Sequence, residues 1–114
     1  MEDCIFCRII RGDIPAKKVF ENEELVIIED IAPVAPVHLL IIPRRHFVNS
    51  LDMQPEDCSI VGHVFQVAAS IARDQGFAEN GFRIVNNNNA DAGQSVFHIH
   101  FHLLAGREFS WPPG

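Results

Sequence analysis

Apolar and polar residues alternate strictly through Phe97-His98-Ile99-His100-Phe101-His102-Leu103. A period of two marks a strand with one apolar face. Residues two apart share a face of a strand. His98, His100 and His102 are therefore expected in a row, roughly 7 Å apart by the rise per residue. Phe97, Ile99, Phe101 and Leu103 are expected in the core, and a strand is predicted over residues 97–103. The run His38-Leu39-Leu40-Ile41-Ile42-Pro43 is apolar without alternation and bounded by prolines, which predicts a central strand. Residues 18–21 and 25–28 predict a short hairpin turning through Glu21-Asn22-Glu23-Glu24. Residues 82–86 predict another strand.

Helical periodicity is sustained only over residues 55–75. Ile60, Val61, Val64, Phe65, Ala68, Ile71 and Ala72 fall on one face there. Pro55 suits a first turn, Glu56 and Asp57 the positive end of the dipole, and Gly76 a stop. Residues 3–10 predict a short helix capped by Asp3 and ended by Gly12, with Cys4 and Cys7 on one side. Few helices among runs of strands predict an α+β fold: an antiparallel sheet with helices on one face.

The chain has 114 residues and is 47% hydrophobic. That fits a single domain, residues 1–114, with a full core and no need of disulfides. Nine basic against 15 acidic side chains leave a net charge of −6. This argues against a nucleic-acid backbone as the main partner. Cys4, Cys7 and Cys58 are too few, and odd in number, for a secreted disulfide scaffold. The acidic opening Met1-Glu2-Asp3 is unlike a signal peptide, and no apolar run is long enough for a membrane span. A reduced, cytoplasmic protein is expected.

Three imidazoles in a row cannot all be charged cheaply, because like charges disfavour each other. A neutral imidazole is a base, a nucleophile or a metal ligand. The preceding loop has the parts to hold a phosphate. Gly93 permits close backbone approach, Gln94 and Ser95 supply donors, and Asn86 offers a carboxamide. A phosphate there would face His100, whose attack on phosphorus would split one hard displacement into two. The flanking histidines and Ser95 can hold oxygens and handle the leaving-group proton. His38, at the mouth of a buried strand, reads either as a site residue or as an edge histidine in water. His63 reads as a surface residue, and Cys58 has no evident task. Cys4-Ile5-Phe6-Cys7 reads either as a metal half-site or as two buried helix cysteines. Trp111 beside Pro112 and Pro113 is a candidate interface anchor.

His98-Ile99-His100-Phe101-His102-Leu103-Leu104 resembles the signature of the histidine triad (HIT) superfamily. Further stretches resemble its Hint branch: Cys4-Ile5-Phe6-Cys7, Ile14-Pro15-Ala16-Lys17, the loop from Glu29 to His38, Gly93-Gln94-Ser95-Val96-Phe97-His98, and Gly106-Arg107 with Trp111-Pro112-Pro113-Gly114. The resemblance implies a five-stranded antiparallel sheet with one long and one short helix, and a homodimer with a continuous ten-stranded sheet. It implies His100 as the nucleophile, flanked by His98 and His102, supported by His38, with Ser95 near the leaving group. It implies Asp30 on the ribose, Phe6, Ile9 and Ile31 around a purine, Asn86, Gln94 and Ser95 at the phosphate, and Gly93, Val96, His100 and His102 also among the nucleotide-binding residues. The implied substrate is a purine nucleoside phosphoramidate such as an AMP amide, cleaved without a catalytic metal. Dinucleoside polyphosphate hydrolysis and a non-catalytic nucleotide- or zinc-binding adaptor are the alternatives. Some members hold a structural zinc, which here implies Cys4, Cys7, His46 and His98 as ligands.

Overall fold

The computed structural model describes residues 3–114. Met1 and Glu2, part of the acidic opening, lie outside the described residues. Helix α1 spans Ile5–Arg11. Strands β1 (Lys18–Glu21) and β2 (Leu25–Glu29) form the hairpin, and β3 (Val37–Pro43) follows the proline loop. Helix α2 spans Cys58–Gln75, and β4 (Phe82–Val85) and β5 (Phe101–Ala105) complete the fold. All five strands pair antiparallel in the order β1-β2-β3-β5-β4. The expected α+β sheet is present.

The helices, however, lie on opposite faces, not on one. Leu25 and Ile27 of β2, with Leu39 and Ile41 of β3, pack with Ile60, Val64, Val67, Ala68 and Ile71 of α2. The alternate residues Val26, Ile28, Leu40 and Ile42 pack with Phe6 and Ile9 of α1. This is why β3 reads as a continuous apolar run: both of its faces are covered. Residues Phe101, Leu103 and Ala105 of β5 enter the α2 side. Its other face carries His102.

The histidine strand is shorter than its alternation predicts. It begins at Phe101, leaving His98 and His100 in a bent lead-in. The ladder stops because β3 ends in Pro43, which has no N–H to offer. Outside the ladder, the Ile99 N–H donates to the Phe47 carbonyl at 2.7 Å. Ile99 is buried as expected, but Phe97 is 49% exposed. On α2, Val67 replaces Phe65 in the buried stripe, and Phe65 is 52% exposed.

Two boundaries also differ. The cap of α1 is Cys4, not Asp3: the Cys7 N–H donates to Cys4 Sγ at 3.3 Å. The first turn expected of the long helix is a 3-10 turn, Pro55–Asp57. The Asp57 carboxylate accepts from the Gln54 N–H and from Arg45, each at 2.9 Å. Gly12 and Gly76 end the helices as predicted. Gly106 ends β5 with φ +94°, and a Cβ there would stand 2.7 Å from Pro36. Only glycine lets that turn close on the proline loop.

Candidate active site

The three histidines still face one way. The Phe6 ring meets His98 and His100 edge-on, with centroids at 5.9 and 5.0 Å. His100 and His102 follow at 5.2 Å, and His102 and His38 also at 5.2 Å. The rings lean closer than the strand rise alone provides. Alternation survives in the lead-in because Ile99 and Phe101 are anchored on the opposite side.

Each ring has its proton placed by a partner. His98 Nε2–H donates to the Pro43 carbonyl at 2.7 Å, leaving Nδ1 bare. His100 Nδ1–H donates to the His98 carbonyl at 2.8 Å, leaving Nε2 bare. The Val34 N–H donates to His38 Nδ1 at 3.1 Å, so the His38 proton sits on Nε2. That proton faces His102 Nδ1 at 2.9 Å, which places the His102 proton on its own Nε2. Burial pushes the His98 and His102 pKa values down to about 4, and lowers that of His100 too. The row is neutral at pH 7, and His100 presents a lone pair.

The surrounding residues divide. Asp30 is half-buried. Its Oδ1 accepts from the Ala32 N–H at 2.8 Å, and its Oδ2 lies 3.3 Å from His38 Nε2. Asn86, beyond the end of β4, donates from Nδ2 to the His100 carbonyl at 3.0 Å. Its Oδ1 accepts from Asn88. Gln94, read as a phosphate donor, is buried and fully engaged. Its amide donates to Val48 O and Val96 O, and its oxygen accepts from the Asn89 N–H and Asn49 Nδ2. Its side chain builds the loop and has no donor left for a ligand. Asn49, which the sequence reading missed, is buried and also donates to Asn89 Oδ1 at 2.9 Å. Only the gathering of so many amides around residues 86–94 hinted at it.

Gly93 has φ +83° and donates its N–H to Ala90 O, closing the turn. Ser95 is exposed, and Val96 packs on the α1 side of the sheet. Of the proposed purine walls, Phe6 and Ile9 are buried and Ile31 is wholly exposed. His63, read as a plain surface residue, is tied to Glu24 Oε1 at 2.6 Å and to Asn22 at 3.2 Å. It pins the β1–β2 turn to α2, away from the triad.

Four ligand atoms converge beside His98. Cys4 Sγ and Cys7 Sγ lie 3.4 and 3.6 Å from His98 Nδ1. His46 Nδ1 lies 3.4 Å from Cys7 Sγ and 3.1 Å from His98 Nδ1. Ordinary zinc bond lengths in a tetrahedron give edges of about 3.3 Å for N–N and about 3.6 Å for N–S. The donor set therefore fits a tetrahedral ion. With no cation, burial pushes the Cys7 thiol up to about 11. The second cluster, Asp30, His38 and His102, does not fit a metal: His38 Nε2 carries its proton.

Comparison with known proteins follows the same lines. The HIT domain family matches residues 11–109. A HIT-like protein of Synechocystis is 46% identical over 113 residues, covering 99% of this chain and 98% of its own length. The crystal structure of a HIT family hydrolase from Legionella pneumophila superposes with a TM-score of 0.95 at 44% identity, covering 98% of this chain and all of its own. A histidine triad nucleotide-binding protein from Candida albicans gives 0.81 at 33% identity, covering 96% of this chain and 83% of its own. With the triad, its buried tautomers and the five-stranded sheet in place, this chain belongs to the HIT domain family.

Proposed function

We propose that the protein hydrolyses purine nucleoside 5′-phosphoramidates, such as AMP amides, through a nucleotidyl group on His100. The observation that carries this is the 2.8 Å bond from His100 Nδ1–H to the His98 carbonyl. It leaves Nε2 bare, and burial keeps the ring neutral at pH 7. The Nε2 lone pair bonds to phosphorus, and the P–N bond breaks with its electron pair leaving on the amine. The amine takes a proton from solvent, passed on by the exposed Ser95 hydroxyl. The ring becomes cationic, and the His98 carbonyl at its Nδ1–H stabilises that charge. His102 Nε2–H donates to a phosphoryl oxygen. Water then attacks phosphorus and gives up a proton to solvent, the P–Nε2 bond breaks with its electron pair returning to Nε2, and the neutral ring returns. Asp30 receives the ribose hydroxyls, and Phe6, Ile9 and Ile31 border the base. The similarity to the Legionella hydrolase and to the Candida nucleotide-binding protein supports the same class.

A structural zinc ion belongs to this reading, held by Cys4, Cys7, His46 and His98. It supplies a cross-link and no chemistry to the substrate. A homodimer belongs to it as well. Among the described residues strand β4 pairs with β5 alone and forms an edge, and Phe65 is exposed on α2. Three unpaired cysteines suit a reducing cytoplasm.

Mixing the protein with an AMP amide and quenching should leave a nucleotide-sized mass increment on His100. His100→Ala should lower kcat by about a thousandfold or more while AMP still binds. Comparable turnover by the variant would remove His100 as nucleophile. Faster cleavage of a diadenosine polyphosphate than of the amide would move the substrate to that class.

A further inference from the structure

We propose that Asp30 is a positioning residue for the His38–His102 pair, in addition to any contact with ribose. This rests on the reading of His100 as nucleophile with His102 beside it. The geometry is specific. The His38 ring has two hydrogen bonds, the Val34 N–H on Nδ1 and its Nε2–H to His102 Nδ1, and Asp30 Oδ2 stands 3.3 Å from the same Nε2. The side chain of His38 is 5% exposed and that of Asp30 18%, so water competes little for these bonds.

The carboxylate charge beside the Nε2–H that His38 gives to His102 makes Asp30 a partner of that pair. The His38 proton fixes His102 with Nδ1 as acceptor and Nε2–H outward, the form that can donate to a phosphoryl oxygen. Asp30 Oδ1 is already bonded to the Ala32 N–H. Oδ2 is the oxygen nearest His38. A ribose hydroxyl donating to Oδ2 draws on the same lone pairs. A hydroxyl there alters the carboxylate's pull on the His38 Nε2–H, while Oδ2 still holds the ring that donates to His102. Sugar recognition and the hydrogen bonding of His102 are thereby coupled through one oxygen atom.

Asp30→Asn reverses this. With its oxygen kept on the Ala32 N–H, it sets an amide N–H against the His38 N–H. Asp30→Ser keeps an oxygen for the Ala32 N–H but removes the carboxylate. The test compares wild type and both variants on an adenosine 5′-phosphoramidate and on its 2′,3′-dideoxy counterpart. A carboxylate that only grips hydroxyls has nothing to grip in the second substrate, and its loss there is silent. A positioning carboxylate still matters, and kcat on the dideoxy substrate should fall about tenfold or more in both variants, with unchanged thermal midpoints. Ring nitrogen-15 spectra give a readout that needs no turnover. Adenosine should move the His38 Nε2–H proton resonance of the wild type, 2′,3′-dideoxyadenosine should not, and Asp30→Asn should abolish the response. Unchanged dideoxy kcat in both variants overturns the proposal, as does a His38 resonance that ignores adenosine. If the wild type cleaves neither substrate, the phosphoramidase reading fails, while the spectra still decide the coupling.

Discussion

What a histidine can do depends on what its other nitrogen touches. Four rings crowd this site, and four different partners set them: Pro43 O, His98 O, the Val34 N–H and His38 itself. Three of the four partners are backbone groups. That explains why the sequence revealed the histidines and not their protonation, since every residue has a carbonyl. Burial has a consequence in acid. The folded pKa of His102 is lowered from 6.5 to about 4, so the unfolded chain takes up that proton first as pH falls. The stability contribution is complete above about 6.5 and is lost between there and about 4, at no more than about 1.4 kcal/mol per pH unit for one proton. Denaturant midpoints across that window should fall with pH, and His102→Gln should flatten the slope. A wild-type midpoint level from pH 7 to pH 4.5 would contradict the assignment. His100 is lowered in the same direction, so its nucleophilic form persists to pH values below 6.5.

At the level of the element, α1 is the piece with the least of its own to hold it. It has 7 residues, well short of what an isolated helix needs. It docks through Phe6 and Ile9, and its cap is Cys4 Sγ, which also faces His98. A zinc ion at Cys4, Cys7, His46 and His98 would fasten this helix to the lead-in that presents His100. Elemental analysis of protein purified without chelator should find one zinc per chain, and Cys7→Ser should lower that content. Chelation should speed amide exchange in Ile5–Arg11 and leave α2 unaffected. Metal-free protein with unchanged exchange would rule the ligand set out. The loop over residues 86–94 carries the opposite lesson. Its amides were legible as phosphate donors, yet Gln94 gives both N–H groups to Val48 and Val96, and its oxygen accepts from Asn49 and Asn89. Composition shows that donors exist, and only packing shows whether they are already engaged.

For the molecule as a whole, the unmatched features cluster on one side. Strand β4 is an open edge, and Phe82 at its start is exposed. A cavity of about 710 Å³ lies there, lined in part by Phe77, Phe82, Arg83, Arg107 and Phe109. Trp111 in the tail is 82% exposed, and Arg83 holds the Ser110 carbonyl next to it. Open edges and exposed aromatics invite a second copy. Sedimentation should give the mass of two chains, and Phe65→Glu on α2 should shift it toward one. A wild-type mass of one chain at high concentration would sink the dimer. The sequence by itself determined the strands, the long helix, the residues of the triad and the family, because periodicity and residue chemistry are local properties. Tertiary structure decided that α1 and α2 cover opposite faces and that the histidine strand starts at Phe101, where Pro43 withholds a hydrogen bond. It also decided which nitrogen of each ring is bare. Those outcomes depend on backbone groups far apart in the chain, such as Pro43 O with His98 and Val34 N–H with His38, and no local pattern encodes such meetings.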